Sequence, residues 1–189
     1  MNLAIIPARC GSKRIPHKNC RLFHGRPIIS YSIETARESG LFAEIIVSTD
    51  SQDYAALAKA YGAKVHMRPA RFCDDNVGTQ EVMKVALNWW NVCHPNKPPK
   101  YACGIYATAP MLSVQDLHEG YAWLDRMPYA YMDGMYYWGE ARNFLLGMEL
   151  SRGVRIVADP ARHIDINTEE DFQIAEVMYG RLREVEQRG

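Results

Sequence analysis

Leu3-Ala4-Ile5-Ile6-Pro7-Ala8 is an unbroken apolar run that gives way to a basic, glycine-containing stretch, Arg9 to Asn19. Such a run suits a strand buried on both faces, and the polar stretch suits a functional loop behind it. From Pro27 to Ser39 the apolar positions Ile28, Ile29, Ile33 and Ala36 recur at helical spacing, and Gly40 stands where a helix would stop. Glu44 to Asp50 reads as a strand, Ser51 to Tyr61 as a helix stopped by Gly62, and Ala63 to Met67 as a third short strand. Thr79 to Trp90 predicts a helix with a broad apolar stripe, and a proline-rich linker, Pro95 to Pro99, separates it from a fourth strand, Cys103 to Ala107. Beyond Thr108-Ala109-Pro110 the pattern predicts helices at about Val114 to Arg126, near Glu140 to Leu146 and at Glu169 to Glu186, with a strand at Val154 to Ala158. Strands alternating with helices imply an α/β fold with a mostly parallel sheet covered on both faces.

Length and charge narrow the picture. The 189 residues lie within the range of one compact domain, so 1–189 is read as a single unit. Lys and Arg total 22 and so do Asp and Glu, which leaves no overall field to steer the chain onto nucleic acid or an anionic membrane. Any anion site must be local. The apolar runs are strand-sized, well short of the roughly 18 residues a membrane span needs. Five cysteines (Cys10, Cys20, Cys73, Cys93 and Cys103) form no CxxC pair, and the N-terminus shows none of the regions of a signal peptide. The expectation is a reducing cytoplasm and free thiols.

The loop after the first strand carries the densest chemistry. Arg9-Cys10-Gly11-Ser12-Lys13-Arg14-Ile15-Pro16-His17-Lys18-Asn19 sets cations, a glycine, a hydroxyl and an amide at the carboxyl end of a strand, where open α/β sheets bind ligands. Glycine and serine let backbone N–H groups face phosphate oxygens, arginine supplies forked donors, and lysine supplies a compact charge. A polyphosphate site is one reading and a solvated basic loop is the other.

Pro7-Ala8-Arg9-x-Gly11-Ser12-Lys13-Arg14-Ile15-Pro16-x-Lys18-Asn19 resembles the opening signature of the cytidylyltransferases that make CMP-sialic acid, CMP-pseudaminic acid and related CMP-sugars. Further stretches fit the same family in order: Ile46 to Asp50, Arg68-Pro69-Ala70 with Asp75 and Thr79, Tyr106 to Pro110, Asp133-Gly134-x-x-Tyr137-Trp138-Gly139, and Asp165 to Asp171. Tyr106 to Pro110 and Tyr136 to Gly139 resemble the pseudaminic acid branch best. The resemblance implies a Rossmann-like, three-layer nucleotidyltransferase of the nucleotide-diphospho-sugar type.

The resemblance also implies roles. CMP would pass from CTP to a nonulosonic acid with release of pyrophosphate, with Mg²⁺ as cofactor. Arg9, Gly11, Ser12, Lys18 and Asn19 would hold the phosphates, Lys18 stabilising charge on the transferred group. Pro7 and Ala8 would give backbone contacts near the base, and Arg68, Asp75, Val77 and Thr79 would hold cytosine and ribose. Thr108, Asp133 and Tyr137 would face the acceptor sugar, and Asp165 with Asn167 would face the metal. The partners implied are CTP, an acidic sugar and a second copy of the chain.

The sequence departs from that family at four places. Asn167 stands where a second aspartate is usual, and an amide is a weaker Mg²⁺ ligand. Cys10 replaces a glycine, which costs energy if the position needs positive φ. Ser113 stands where an arginine is usual. Between Tyr131 and Asp133 only Met132 remains of a segment that carries part of the acceptor site and much of the dimer contact. These departures keep two alternatives open: a nucleotide-binding homologue with little or no turnover, and CMP transfer to another acidic sugar such as 3-deoxy-octulosonate. The six histidines show no metal-ligand spacing, so zinc is not expected. Asp116, Asp159 and Asp171 are expected as solvated or capping carboxylates, and the clustered aromatics as core.

Overall fold

The computed structural model describes residues 1–74 and 76–186. Nine strands alternate with six helices among the described residues: β1 (Asn2–Pro7), β2 (Leu22–Phe23), β3 (Arg26–Pro27), α1 (Ile28–Glu38), β4 (Glu44–Thr49), α2 (Gln52–Ala60), β5 (Lys64–Met67) and α3 (Thr79–Cys93) form the first half. The second half holds β6 (Tyr101–Ile105), α4 (Val114–Ala122), β7 (Tyr129–Met132), β8 (Tyr136–Glu140), α5 (Ala141–Leu146), β9 (Val154–Arg155) and α6 (Glu169–Glu186). β2 and β3 pair as a small hairpin, and the other seven strands form one sheet in the order β5-β4-β1-β6-β8-β7-β9.

β1 is parallel to both β4 and β6, and β4 is parallel to β5. The chain runs outward from β1 through β4 to β5 and then crosses back to place β6 on the other side of β1. That reversal opens a crevice at the carboxyl ends of β1 and β6, the usual ligand position in such sheets. β8 is antiparallel to β6 and β7, and β9 is parallel to β7, so the sheet is mostly parallel with a mixed edge.

Alternation along β1 divides the core. Ala4 and Ile6 pack beneath α1, α2 and α4 with Ile29, Ile33, Ala58 and Leu117. Leu3 and Ile5 pack on the opposite face with Met83, Leu87 and Trp90 of α3 and Phe144 of α5. Each large apolar side chain fully buried there contributes roughly 1.5–3 kcal/mol. A third cluster joins Ile15 of the basic loop and Phe23 of the hairpin to Ile166 and to Phe172 and Ala175 of α6. It fixes the C-terminal segment against the loop.

Several boundaries differ from the sequence reading. The fourth strand ends at Ile105, so Tyr106 to Thr108 turn toward the crevice instead of continuing the ladder. The helix expected to Arg126 ends at Ala122 and continues as a single tight turn, Trp123–Asp125. β9 covers only two of the five residues expected. Tyr129 to Tyr137, given no element by its pattern, forms the β7–β8 hairpin around the turn Asp133-Gly134-Met135, with Gly134 at φ 66°. Trp90, Tyr136 and Trp138 are core, as expected.

Candidate active site

The basic loop leaves β1 and is fastened to β4. The Ala8 N–H donates to the Ser48 carbonyl at 2.9 Å, and the Cys10 N–H donates to Asp50 Oδ1 at 2.8 Å. Further along, His17 takes up a left-handed conformation at φ 54° and turns the chain into a short 3₁₀ segment, Lys18–Cys20. Asn19 is buried, and its amide donates to the Arg9 carbonyl at 3.0 Å, which closes the loop on itself.

A cleft of about 430 Å³ lies inside this loop, in the crevice between β1 and β6. Of the residues named from sequence, Pro7, Arg9, Ser12, Lys18, Asn19, Arg68, Val77, Thr79, Thr108 and Asn167 line it. Lys13, Arg14, Val82, Tyr106 and Ala107 complete the wall. Five cations face the space, and no carboxylate is among the described residues that line it.

Two of these cations, Lys18 and Arg68, are tightly held. The Lys18 Nζ donates to the Ile166 carbonyl at 2.5 Å. Burial lowers its pKa from the ordinary 10.5; the Asp165 carboxylate opposes that shift, and the Arg14 and Arg9 charges reinforce it. An incoming phosphate would favour the charged form and oppose that shift. Arg68 is 6% exposed: its guanidinium donates to the Ser48 carbonyl at 2.6 Å and to the Ser48 hydroxyl at 3.3 Å, so it is not a surface ion pair. Burial lowers its pKa as well.

The Ser48 hydroxyl also hydrogen-bonds Nδ1 of buried His66 at 3.0 Å. Burial, and then the Arg68 charge, push His66 down to about 4. Thr79 begins α3 and sits close to the phenols of Tyr106 and Tyr137. Burial raises Tyr106 and Asp165 adds to that rise.

Not every sequence assignment lines the cleft. Ala8 is fully buried and its N–H is already bonded, so it lies behind the wall. Gly11 is exposed and takes no positive φ, and a Cβ there would meet nothing within 4 Å. Cys10 likewise has no positive φ, so its side chain costs no backbone strain. Asp165 is exposed and packs against Gly134, near enough to act on Lys18. Asp133 pairs with Arg155 at 2.6 Å, and its carbonyl accepts from His163 at 2.5 Å. Tyr137 is buried behind Tyr106 with Thr79 nearby, and its hydroxyl forms no hydrogen bond of good geometry among the described residues. Asp75 lies outside the described residues.

Ser113 caps α4 in a reciprocal box with Asp116, whose carboxylate also pairs with both Arg162 terminal nitrogens at 3.1 Å. Asp116 is thus a capping group and a buried ion-pair partner, not a solvated one. Asp171 caps the start of α6 by accepting from the N–H groups of Asn167 and Thr168. Arg14, Lys13 and Tyr106 went unassigned in the sequence reading. The first two stood inside the quoted loop motif; Tyr106 stood where the strand pattern continued past its true end.

The chain belongs to the cytidylyltransferase family, whose model matches residues 3–136. It is 42% identical over 121 residues to the pseudaminic acid cytidylyltransferase of Campylobacter jejuni subsp. jejuni serotype O:2, covering 64% of this chain and 51% of that protein. It is also 42% identical over 86 residues to the N-acylneuraminate cytidylyltransferase of Escherichia coli O18:K1:H7, covering 46% and 20% respectively. The chain therefore spans about half, or less, of the length of these relatives. Among solved structures, a CMP:2-keto-3-deoxy-manno-octonic acid synthetase complexed with CTP superposes with a TM-score of 0.73 at 14% identity, covering 95% of this chain and 98% of that one. The 4-diphosphocytidyl-2C-methyl-D-erythritol synthase of Anaerococcus prevotii gives a TM-score of 0.65 at 13% identity, with the same coverage. These likenesses show the fold, a Rossmann-like nucleotidyltransferase architecture.

Proposed function

We propose that the cleft binds CTP and that the chain transfers CMP from it to a nonulosonic acid of the pseudaminic or sialic type, releasing pyrophosphate. The observation that carries this reading is a crevice at the β1–β6 switch point lined by five cations and no carboxylate among the described residues, in a chain of the cytidylyltransferase family. A triphosphate supplies the negative charge such a wall lacks.

In this reading Arg9, Ser12 and Asn19 seat the phosphates, while Arg68, Val77 and Thr79 meet the nucleoside. The sugar hydroxyl oxygen attacks the α-phosphorus in line and its proton passes to solvent water; the bond from that phosphorus to the α,β-bridging oxygen breaks, and pyrophosphate leaves with the electron pair. Lys18 stabilises the charge that builds on the transferred and leaving groups. Asp165, beside Lys18 though outside the cleft lining, is the carboxylate that would hold Mg²⁺ together with substrate phosphates and water, a donor set that suits this ion without a protein cage. Bound there, the ion would neutralise phosphate oxygens. No helix among the described residues is long and apolar enough to cross a membrane. The five cysteines are free thiols, in keeping with a cytoplasmic protein, and a homodimer is the expected assembly.

A second reading, nucleotide binding without turnover, is favoured by the three-residue turn that joins β7 to β8 where the sequence resemblance leads one to expect an acceptor segment. Pyrophosphate release separates the two. Purified protein with CTP, Mg²⁺ and a panel of nonulosonic acids should release pyrophosphate with at least one acceptor. Folded protein that releases none with any of them would support the second reading instead.

A further inference from the structure

The basic loop and the C-terminal segment are interlocked by three contacts between residues about 150 positions apart. Arg14 donates to Asn167 Oδ1 at 3.2 Å, Lys18 donates to the Ile166 carbonyl at 2.5 Å, and Arg21 forms a two-pronged pair with Glu169 at 2.5 and 2.6 Å. The segment is stiffened from behind, because the Asn167 N–H donates to Asp171 Oδ2 at 2.9 Å. Arg14 and Asn167 both line the cleft. Asn167 therefore presents a neutral acceptor, in a fixed place, to an exposed guanidinium.

We propose that Asn167 is a positioning residue that aims Arg14 at the phosphates while leaving its charge intact. The inference rests on the reading of this cleft as a triphosphate site and adds a role for two residues in it. An amide oxygen orients the guanidinium without cancelling it, and its remaining N–H donors stay free for phosphate oxygens. A carboxylate at the same place would pair with Arg14 by charge and hold its donors away from the phosphates. The substitution that would strengthen a metal site thus weakens metal-free phosphate binding here. This contrast separates positioning from direct metal ligation.

The test is calorimetric titration of wild type, Asn167→Asp, Arg14→Met and the double variant with inorganic triphosphate and with CTP, first in EDTA and then with Mg²⁺. The expected result is that Asn167→Asp weakens triphosphate binding in EDTA about tenfold, and that the loss shrinks to about twofold or less in the Arg14→Met background. Asn167→Ala, which adds no charge, should lose less than Asn167→Asp while keeping the wild-type melting temperature. Undiminished loss in the Arg14→Met background would overturn the proposal, since the carboxylate would then be repelling phosphate directly. Unchanged binding in EDTA with tighter binding only when Mg²⁺ is added would also overturn it and make Asn167 a metal ligand. Tight inorganic triphosphate binding without preference for CTP would leave the positioning role standing while removing the nucleotide reading; no binding of either by wild type removes both.

Discussion

Lys18 is held between opposing demands: a carbonyl and the Asp165 carboxylate favour its charge, while burial and two neighbouring guanidinium groups disfavour it. Its pKa in the free protein is therefore below 10.5, and a bound triphosphate raises it again. Affinity for CTP should consequently fall as pH rises through the lowered pKa of the free protein. Replacing Lys18 by Met should weaken CTP binding roughly 10- to 100-fold and abolish that alkaline decline. Titrations between about pH 7 and pH 10 check both effects, and an unchanged decline in the variant would assign it to another group. His66 governs the acid side. Its folded pKa of about 4 lies below the ordinary value of 6.5, so the unfolded chain takes up the proton first as pH falls. The stability it contributes is complete above 6.5 and is lost on the way down to about 4, roughly 3 kcal/mol in all. Melting temperatures of His66→Gln should therefore depend less on pH across that window than those of wild type.

At the scale of elements, β6 has little room to vary at Gly104. A Cβ on Gly104 would come within 2.6 Å of the Tyr137 ring and 3.1 Å of Met83 Sδ, so β8 and α3 press on the strand from one face. Gly104→Ala should destabilise the fold by about 1–3 kcal/mol, read from chemical denaturation, with CTP binding by the folded fraction retained. A wild-type midpoint would mean that β8 or α3 can withdraw. β1 was legible in sequence as an unbroken apolar run buried on both faces, and α1, α2 and α3 because each buries one face at helical period; Gly40 and Gly62, both at positive φ, mark two ends. The β7–β8 hairpin was not legible, since six of the nine residues from Tyr129 to Tyr137 are apolar and buried, which gives no alternation to read. The basic loop was legible as chemistry, but its partners were not. Lys18 meets Ile166 across 148 residues, and no local pattern encodes a contact of that range.

For the whole molecule, a net charge of zero conceals a strongly uneven distribution, with five cations gathered around one cleft. That local field, built where the sheet reverses direction, is what turns a common α/β scaffold into a candidate polyphosphate enzyme. The two ends of the chain meet there: the first strand supplies the loop, and the segment before α6 supplies Ile166 and Asn167. The most direct measurement is calorimetric titration of the purified protein with CTP and Mg²⁺, with ATP, GTP and UTP under the same conditions. The account predicts saturable CTP binding at least about tenfold tighter than that of the other three nucleotides. Equal affinity for all four, or no binding of CTP by folded protein, would contradict it.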